Sequence, residues 1–295
     1  MKTFFLTIII CSTIFVPVAG AQGRKAVEAF NRGLELQNAG RNDEAMALYE
    51  KAIALYPKYF DAYNNRANIK FARGDFAGAI ADYTKAIEIN PGNYLAYYNR
   101  GLARTEKKQY DAAIEDFTIA IGGMPNFALA YSDRGNVLKA KNDLAAAMTD
   151  YNVSISLSTV NVEPFFNRGI LRQEQGDIDG SIEDFSRVVR LNPKYAEAHA
   201  LRAHSYFLKK DYPSAAANYS AAIQLNPKDA GYYLRRGYSY RERKQYDEAI
   251  PDFRKALELN PSDVTPLYSL AVIYTEKKDN DLTIDTYNKI ISLDP

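Results

Sequence analysis

The sequence predicts an all-α solenoid of helical hairpins, and three observations lead there. The first is a fixed spacing: Pro57, Pro91, Pro125, Pro193, Pro227, Pro261 and Pro295 fall 34 residues apart, with one gap of 68 in which Thr159 holds the missing place. The second is a set of registered positions. Numbering a unit from Ala26, position 8 is always small (Gly33, Ala67, Gly101, Gly135, Gly169, Ala203, Gly237, Ala271). Position 20 is small as well (Ala45, Ala79, Ala113, Ala147, Ser181, Ala215, Ala249, Thr283). Position 24 is aromatic in every unit: Tyr49, Tyr83, Phe117, Tyr151, Phe185, Tyr219, Phe253 and Tyr287. The third is periodicity: each unit holds two runs with apolar spacings of three and four, parted by a polar breaker such as Lys107-Lys108-Gln109. One such hairpin cannot bury its own apolar face, whereas a stack of them builds a continuous core.

The units run 26–59, 60–93, 94–127, 128–161, 162–195, 196–229, 230–263 and 264–295. Small residues at 8 and 20 let two helix backbones approach, and the ring at 24 fills the space beside them. The closing Pro cannot continue the helix before it but opens the next turn. Position 4 is also ring-bearing in most units, as Tyr63, Tyr97, Tyr131, Phe165 and Tyr233. The period, the small residues, the aromatics at 4 and 24 and the terminal Pro together resemble the tetratricopeptide repeat family over residues 26–295. That resemblance implies a right-handed superhelix whose first helices line a concave groove, with positions 2, 5, 6, 9, 12 and 13 facing it.

In chain order, residues 1–21 differ in kind from the rest. Lys2, an apolar run from Phe4 to Val18 and Ala19-Gly20-Ala21 read as a signal peptide, with an uncleaved signal anchor as the alternative. Export to a periplasm is the first expectation, and secretion or anchoring are the others. The only cysteine, Cys11, lies inside this segment, so no disulfide is expected in the array. Residues 22–25 form a short lead. Gly122-Gly123 and the Pro-less close of unit 4 make 122–161 the place where a bend is expected. Unit 8 ends at Pro295 without a further polar-faced helix. Its Tyr287, Ile290, Ile291 and Leu293 form either a frayed end or an association surface.

Two ladders carry the chemistry. Position 7 is Arg in seven units, and position 23 is Asp in five of those, giving Arg66/Asp82, Arg100/Asp116, Arg134/Asp150, Arg168/Asp184 and Arg236/Asp252. An arginine between packed helices needs a carboxylate to offset desolvation, so these read as structural ion pairs setting repeat register; an anion-binding row is the alternative. Unit 6 has Arg202 with Asn218, and unit 8 has Leu270 with Thr286. Position 6 is Asn31, Asn65, Asn99, Asp133 and Asn167, and position 9 adds Asn68 and Asn136. Phe30, Tyr98 and Phe166 stand nearby at position 5. The row resembles the asparagine ladders of family members, in which amides grip a peptide backbone irrespective of its sequence. A solvated concave face is the other reading. Later groove positions are mixed, with Phe207, Tyr238, Tyr268, Arg235, Arg241, Glu242 and Glu276, a composition suited to a protein partner.

Composition excludes several classes. A formal net charge of +1 argues against nucleic acid, which requires a clustered basic excess. No apolar run long enough to span a membrane follows the N-terminal segment. No unit carries Lys at position 5 or 2, so the carboxylate-clamp set that binds chaperone C-termini is missing. His199 and His204 do not share a helical face, and no phosphate loop, nucleophile elbow or zinc motif occurs, so neither enzyme activity nor a metal or cofactor is expected. The expected function is an exported scaffold that holds an extended peptide or partner helix in its groove. The alternatives are a homo-oligomer assembled through the last unit and a substrate-recruiting partner of a separate exported enzyme.

Overall fold

The computed structural model describes residues 21–293; the signal segment expected over 1–21, with Cys11, lies almost wholly outside the described residues, as does Pro295. Among the described residues there are sixteen helices and no strand. The chain divides into two compact units, ending at Met124 and beginning at Pro125. The first holds α1 (Ala21–Asn38), α2 (Asn42–Leu55), α3 (Phe60–Ala72), α4 (Phe76–Ile89), α5 (Tyr94–Glu106) and α6 (Tyr110–Gly123). The second holds α7 (Ala128–Ala140), α8 (Leu144–Leu157), α9 (Val162–Glu174), α10 (Ile178–Leu191) and α11 (Ala196–Leu208). It continues through α12 (Tyr212–Leu225), α13 (Ala230–Glu242), α14 (Tyr246–Leu259), α15 (Thr265–Glu276) and α16 (Asn280–Leu293). Odd-numbered helices are the first of each repeat and even-numbered ones the second. The all-α hairpin solenoid expected from the sequence is what forms, and α1 starts at Ala21, so residues 22–25 are helical.

Each hairpin turn is made the same way. The N–H of position 16 donates back to the carbonyl of position 11, as in Asp75 to Lys70 at 2.9 Å and Asp177 to Arg172 at 2.8 Å. That six-to-one bond closes the first helix and forces position 15 into the left-handed region. Glycine meets the demand at Gly40, Gly74 and Gly176, whereas Lys108, Asn142, Lys210, Lys244 and Lys278 adopt it at φ near +60°. Aspartate at position 16 then caps the second helix: Asp75, Asp143, Asp177 and Asp211 each accept the backbone N–H three residues on.

The core repeats with the same register. The ring at position 24 is buried in repeats 1 to 7 and lies against position 8, where a Cβ placed on Gly101 would sit 2.8 Å from the Phe117 ring. Alanines at 20 and 27 let the second helix close on its partner. Within a unit the first helix of a repeat packs on the second helix of the repeat before it, and successive first helices also touch, as α3 does α5 and α9 does α11. They thereby share one face.

Candidate peptide-binding face

The arginine ladder lies between the helices of each hairpin. Arg66, Arg100, Arg134, Arg168 and Arg236 each use Nε and Nη2 to grip both carboxylate oxygens of Asp82, Asp116, Asp150, Asp184 and Asp252, at 2.6–3.0 Å. Hydrogen bonding to the aspartate raises Arg66, Arg134 and Arg236 above their ordinary value. The remaining nitrogen reaches the preceding repeat at position 25: Arg100 Nη1 donates to Thr84, Arg168 Nη1 to Asn152 and Arg236 Nη1 to Ser220. The ring at position 4 covers each guanidinium, as Tyr97 does Arg100 at 5.4 Å from its centroid. A guanidinium so occupied joins two helices and two repeats and keeps no donor face for an anion. Repeat 6 lacks the carboxylate, and Arg202 bonds Asn218 and Ser186 instead; burial pulls this arginine below its ordinary value.

The asparagines are distributed less evenly. Asn31 is exposed, and Asn65 is buried. Asn68 and Asn136 are hubs. Asn68 Oδ1 accepts Tyr83 Oη at 2.6 Å and Asn99 Nδ2 at 3.4 Å. Asn136 Oδ1 accepts Tyr151 Oη at 2.9 Å and Asn167 Nδ2 at 2.8 Å, while its Nδ2 donates to Glu163 Oε1 at 3.2 Å. Position 9 of one repeat therefore meets positions 6 and 2 of the next on a common face. The hubs fix the amide orientations: Asn68 Nδ2 is left as a donor, and the Oδ1 atoms of Asn99 and Asn167 as acceptors.

Aromatic pairs interrupt this amide surface. Phe166 stacks on Tyr195 with centroids 4.9 Å apart and planes 21° from parallel, and meets Phe185 edge-on. In the first unit Phe30 lies 4.9 Å from Tyr59, and Tyr98 lies 5.8 Å from Phe117. The sequence reading included Phe30, Tyr98 and Phe166 but passed over Tyr59 and Tyr195, which occupy position 34. The signal for them is an alternation with a period of two repeats. Position 34 runs Tyr59, Asn93, Phe127, Asn161, Tyr195, Asp229, and position 5 runs Phe30, Asn64, Tyr98, Ser132, Phe166, Ala200. Position 9 alternates in step, as Leu34, Asn68, Leu102, Asn136, Ile170, His204. Repeats 1, 3 and 5 thus offer rings at positions 5 and 34 where repeats 2, 4 and 6 carry Asn, Asp, Ser or Ala, and repeat 7 leaves the pattern with Leu234 and Asp263. In repeat 4, Ser132 Oγ and Asn161 Nδ2 are buried with no hydrogen-bond partner where repeats 1, 3 and 5 place rings.

Carboxylates at position 2 complete the face. Burial raises Asp61 to about 6 and Glu163 above its ordinary value, the latter opposed by the hydrogen bond from Asn136. Tyr195 is raised by burial and by the nearby charges of Glu197 and Glu163. On the same face of repeat 7, Arg241 lies over Tyr238 at 5.0 Å and pairs with Glu242.

Family models for the tetratricopeptide repeat match residues 30–94, 67–126 and 166–230, and further ones match 230–263 and 264–295. The chain belongs to the tetratricopeptide repeat family. Comparison with curated proteins finds no match. Among solved structures, the fold is similar to the C-terminal part of a tetratricopeptide repeat protein from Cytophaga hutchinsonii, at 18% identity over 78% of this chain and 94% of that one, with a TM-score of 0.69. A tetratricopeptide repeat protein from Parabacteroides merdae is similar at 19% identity over 90% and 100% of the two chains, TM-score 0.60. YrrB, described as a tetratricopeptide repeat protein with an unusual peptide-binding site, is similar at 24% identity over 61% and 92%, TM-score 0.53. At these identities the likeness is one of fold. Among the described residues of this tetratricopeptide protein, no three His, Cys, Asp or Glu side chains cluster as metal ligands would, and no helix is long and apolar enough to cross a membrane.

Proposed function

We propose that the protein is an exported scaffold that holds extended peptide segments of a partner along the face formed by the first helices within each compact unit. Family membership supports a protein partner in general. The observation that carries the finer reading is the oriented amide set: Asn68 presents a donor, and Asn99 and Asn167 present acceptors, each fixed by a bond to a neighbouring repeat. An extended backbone offers alternating C=O and N–H groups, and amides already locked in orientation bind it without further loss of side-chain freedom. Export rests on the sequence of residues 1–21 alone. The test is partner capture from an extract by the protein and by its Asn99→Ala/Asn167→Ala double variant. Loss of the captured band with unchanged helical circular dichroism supports the reading; full capture by the variant overturns it.

A second reading, self-assembly through repeat 8, is favoured by one observation. Position 28 is apolar throughout, and Ile87, Ile121 and Ile223 are buried there, yet Ile291 is 63% exposed. Tyr287 and Leu293 are exposed beside it on α16. Light scattering of the protein over a range of concentrations, with and without Ile291→Lys/Leu293→Lys, separates the two. An oligomer that dissociates only in the variant supports assembly, and a concentration-independent monomer removes it.

A further inference from the structure

The carboxylates of this chain differ in how their charge is met. Those at position 23 are matched to arginine, and surface acids such as Glu88, Asp179 and Glu258 pair with lysines. Among the described residues, the position-2 acids Asp61, Glu163 and Glu197 have no ion-pair partner; Glu197 is exposed, whereas Asp61 and Glu163 are half-buried and desolvation works against their charge. Each opens a first helix, where the helix dipole favours an anion, but for Asp61 and Glu163 the dipole leaves the lost hydration uncompensated.

Their surroundings repeat. Asp61 follows Tyr59 by two residues, and the Tyr59 ring lies against Phe30 from 29 residues earlier. Glu197 follows Tyr195 by two residues, and the Tyr195 ring lies against Phe166, again from 29 residues earlier. The two constellations arise independently in the two compact units. In the second, Glu163 adds another carboxylate, close enough to bear on the Tyr195 hydroxyl and held by Asn136. The third sequence copy, Tyr98 and Phe127, is followed by Leu129 and lacks the acid.

We propose that the groove accepts a basic partner segment, with a lysine or arginine side chain received at Phe30–Tyr59–Asp61 in the first unit and at Phe166–Tyr195–Glu197, assisted by Glu163, in the second. This rests on the peptide-groove reading and names its partner class. A cation supplies a countercharge to the under-solvated carboxylate of each site, Asp61 in the first and Glu163 in the second, and the ring faces add an attraction of their own. The protein already uses that chemistry internally, with five position-7 arginines lying over position-4 rings. The ladder guanidiniums, for their part, are held by their own aspartates.

The experiment is selection of phage-displayed random dodecapeptides on the full chain, followed by affinity measurement of the selected peptides on variants. The expected result is enrichment of sequences with Lys or Arg at a fixed place, bound at least tenfold more weakly by Asp61→Asn or by Glu163→Gln/Glu197→Gln, and equally weakened when the basic residue becomes norleucine. Selected peptides that lose binding in Asn99→Ala/Asn167→Ala but carry no basic residue, or ignore the carboxylate variants, overturn the cation sites and leave the groove standing. Failure to select any peptide, or binding indifferent to amide and carboxylate variants alike, overturns both.

Discussion

Repeats 5 and 6 are neighbours in one compact unit, share a register and differ at the places that matter most. Repeat 5 closes its hairpin with Arg168 clamped on Asp184, a second cation from Arg172 on the same carboxylate, and Gly176 in the left-handed turn. Repeat 6 has Arg202 on the neutral Asn218, Tyr206 where Arg172 would stand, and Lys210 in that turn. Both repeats fold into the same hairpin because the small residues and the rings at positions 8, 20 and 24 are retained. Packing therefore specifies the hairpin, and the ion pairs tune its strength and its hold on the repeat before it.

The largest test converts repeat 5 into repeat 6. Asp184→Asn leaves Arg168 and Arg172 both facing a neutral amide in a site where Asp184 is buried, and the expected loss is about 3 kcal/mol. Urea unfolding checks this, and hydrogen exchange should place the weakening in α9 and α10. A loss under about 1 kcal/mol would show that the ladder contributes little beyond a surface pair. The reverse change, Asn218→Asp, gives Arg202 the carboxylate that Arg236 has in repeat 7, where no second cation is needed. A gain of about 1 kcal/mol is expected, reduced by the loss of the Asn218 bond to the Ser214 carbonyl.

The two repeats also show what the sequence discloses. Arg168 and Asp184 were readable as partners because both recur with the period, and a desolvated arginine requires a carboxylate. The all-helical hairpins followed from Pro spacing and small residues. The hub role of Asn136 was not readable: its bonds to Asn167 and Glu163 join consecutive repeats, and their existence depends on how far one hairpin is offset from the next. Tyr195 was missed because position 34 looked like a connection, and the alternation that betrays it has twice the period being sought. The unpaired state of Glu163 was likewise invisible, since counting charges along a helix cannot say which of them have lost their water.

A smaller effect is expected in the turns. Lys210 sits at φ +62° where repeat 5 has Gly176 at +84°. Lys210→Gly should stabilise by about 0.5–1 kcal/mol, because the left-handed conformation costs a β-carbon-bearing residue more than the added freedom of glycine in the unfolded chain. Gly176→Lys should lose a similar amount. Thermal unfolding of the pair measures both, and equal midpoints for all three proteins would mean that the six-to-one bond at Asp211 absorbs the strain.

The subtlest difference lies at position 2, where Glu163 is enclosed and Glu197 is exposed. Burial raises Glu163 above its ordinary value, so the folded protein binds its proton more tightly than the unfolded chain does. Stability attached to this group is therefore highest below the ordinary carboxylate range and falls as pH rises through that value toward the raised one. Glu163→Gln removes the dependence while keeping an acceptor for Asn136 Nδ2. The variant should unfold at a slightly higher temperature than the parent at pH 7, and the two should coincide near pH 4. If the pH profiles of Glu163→Gln and the parent run parallel, the Asn136 hydrogen bond fully offsets the lost hydration. Glu163 would then be a satisfied member of the amide network rather than a carboxylate awaiting a cation.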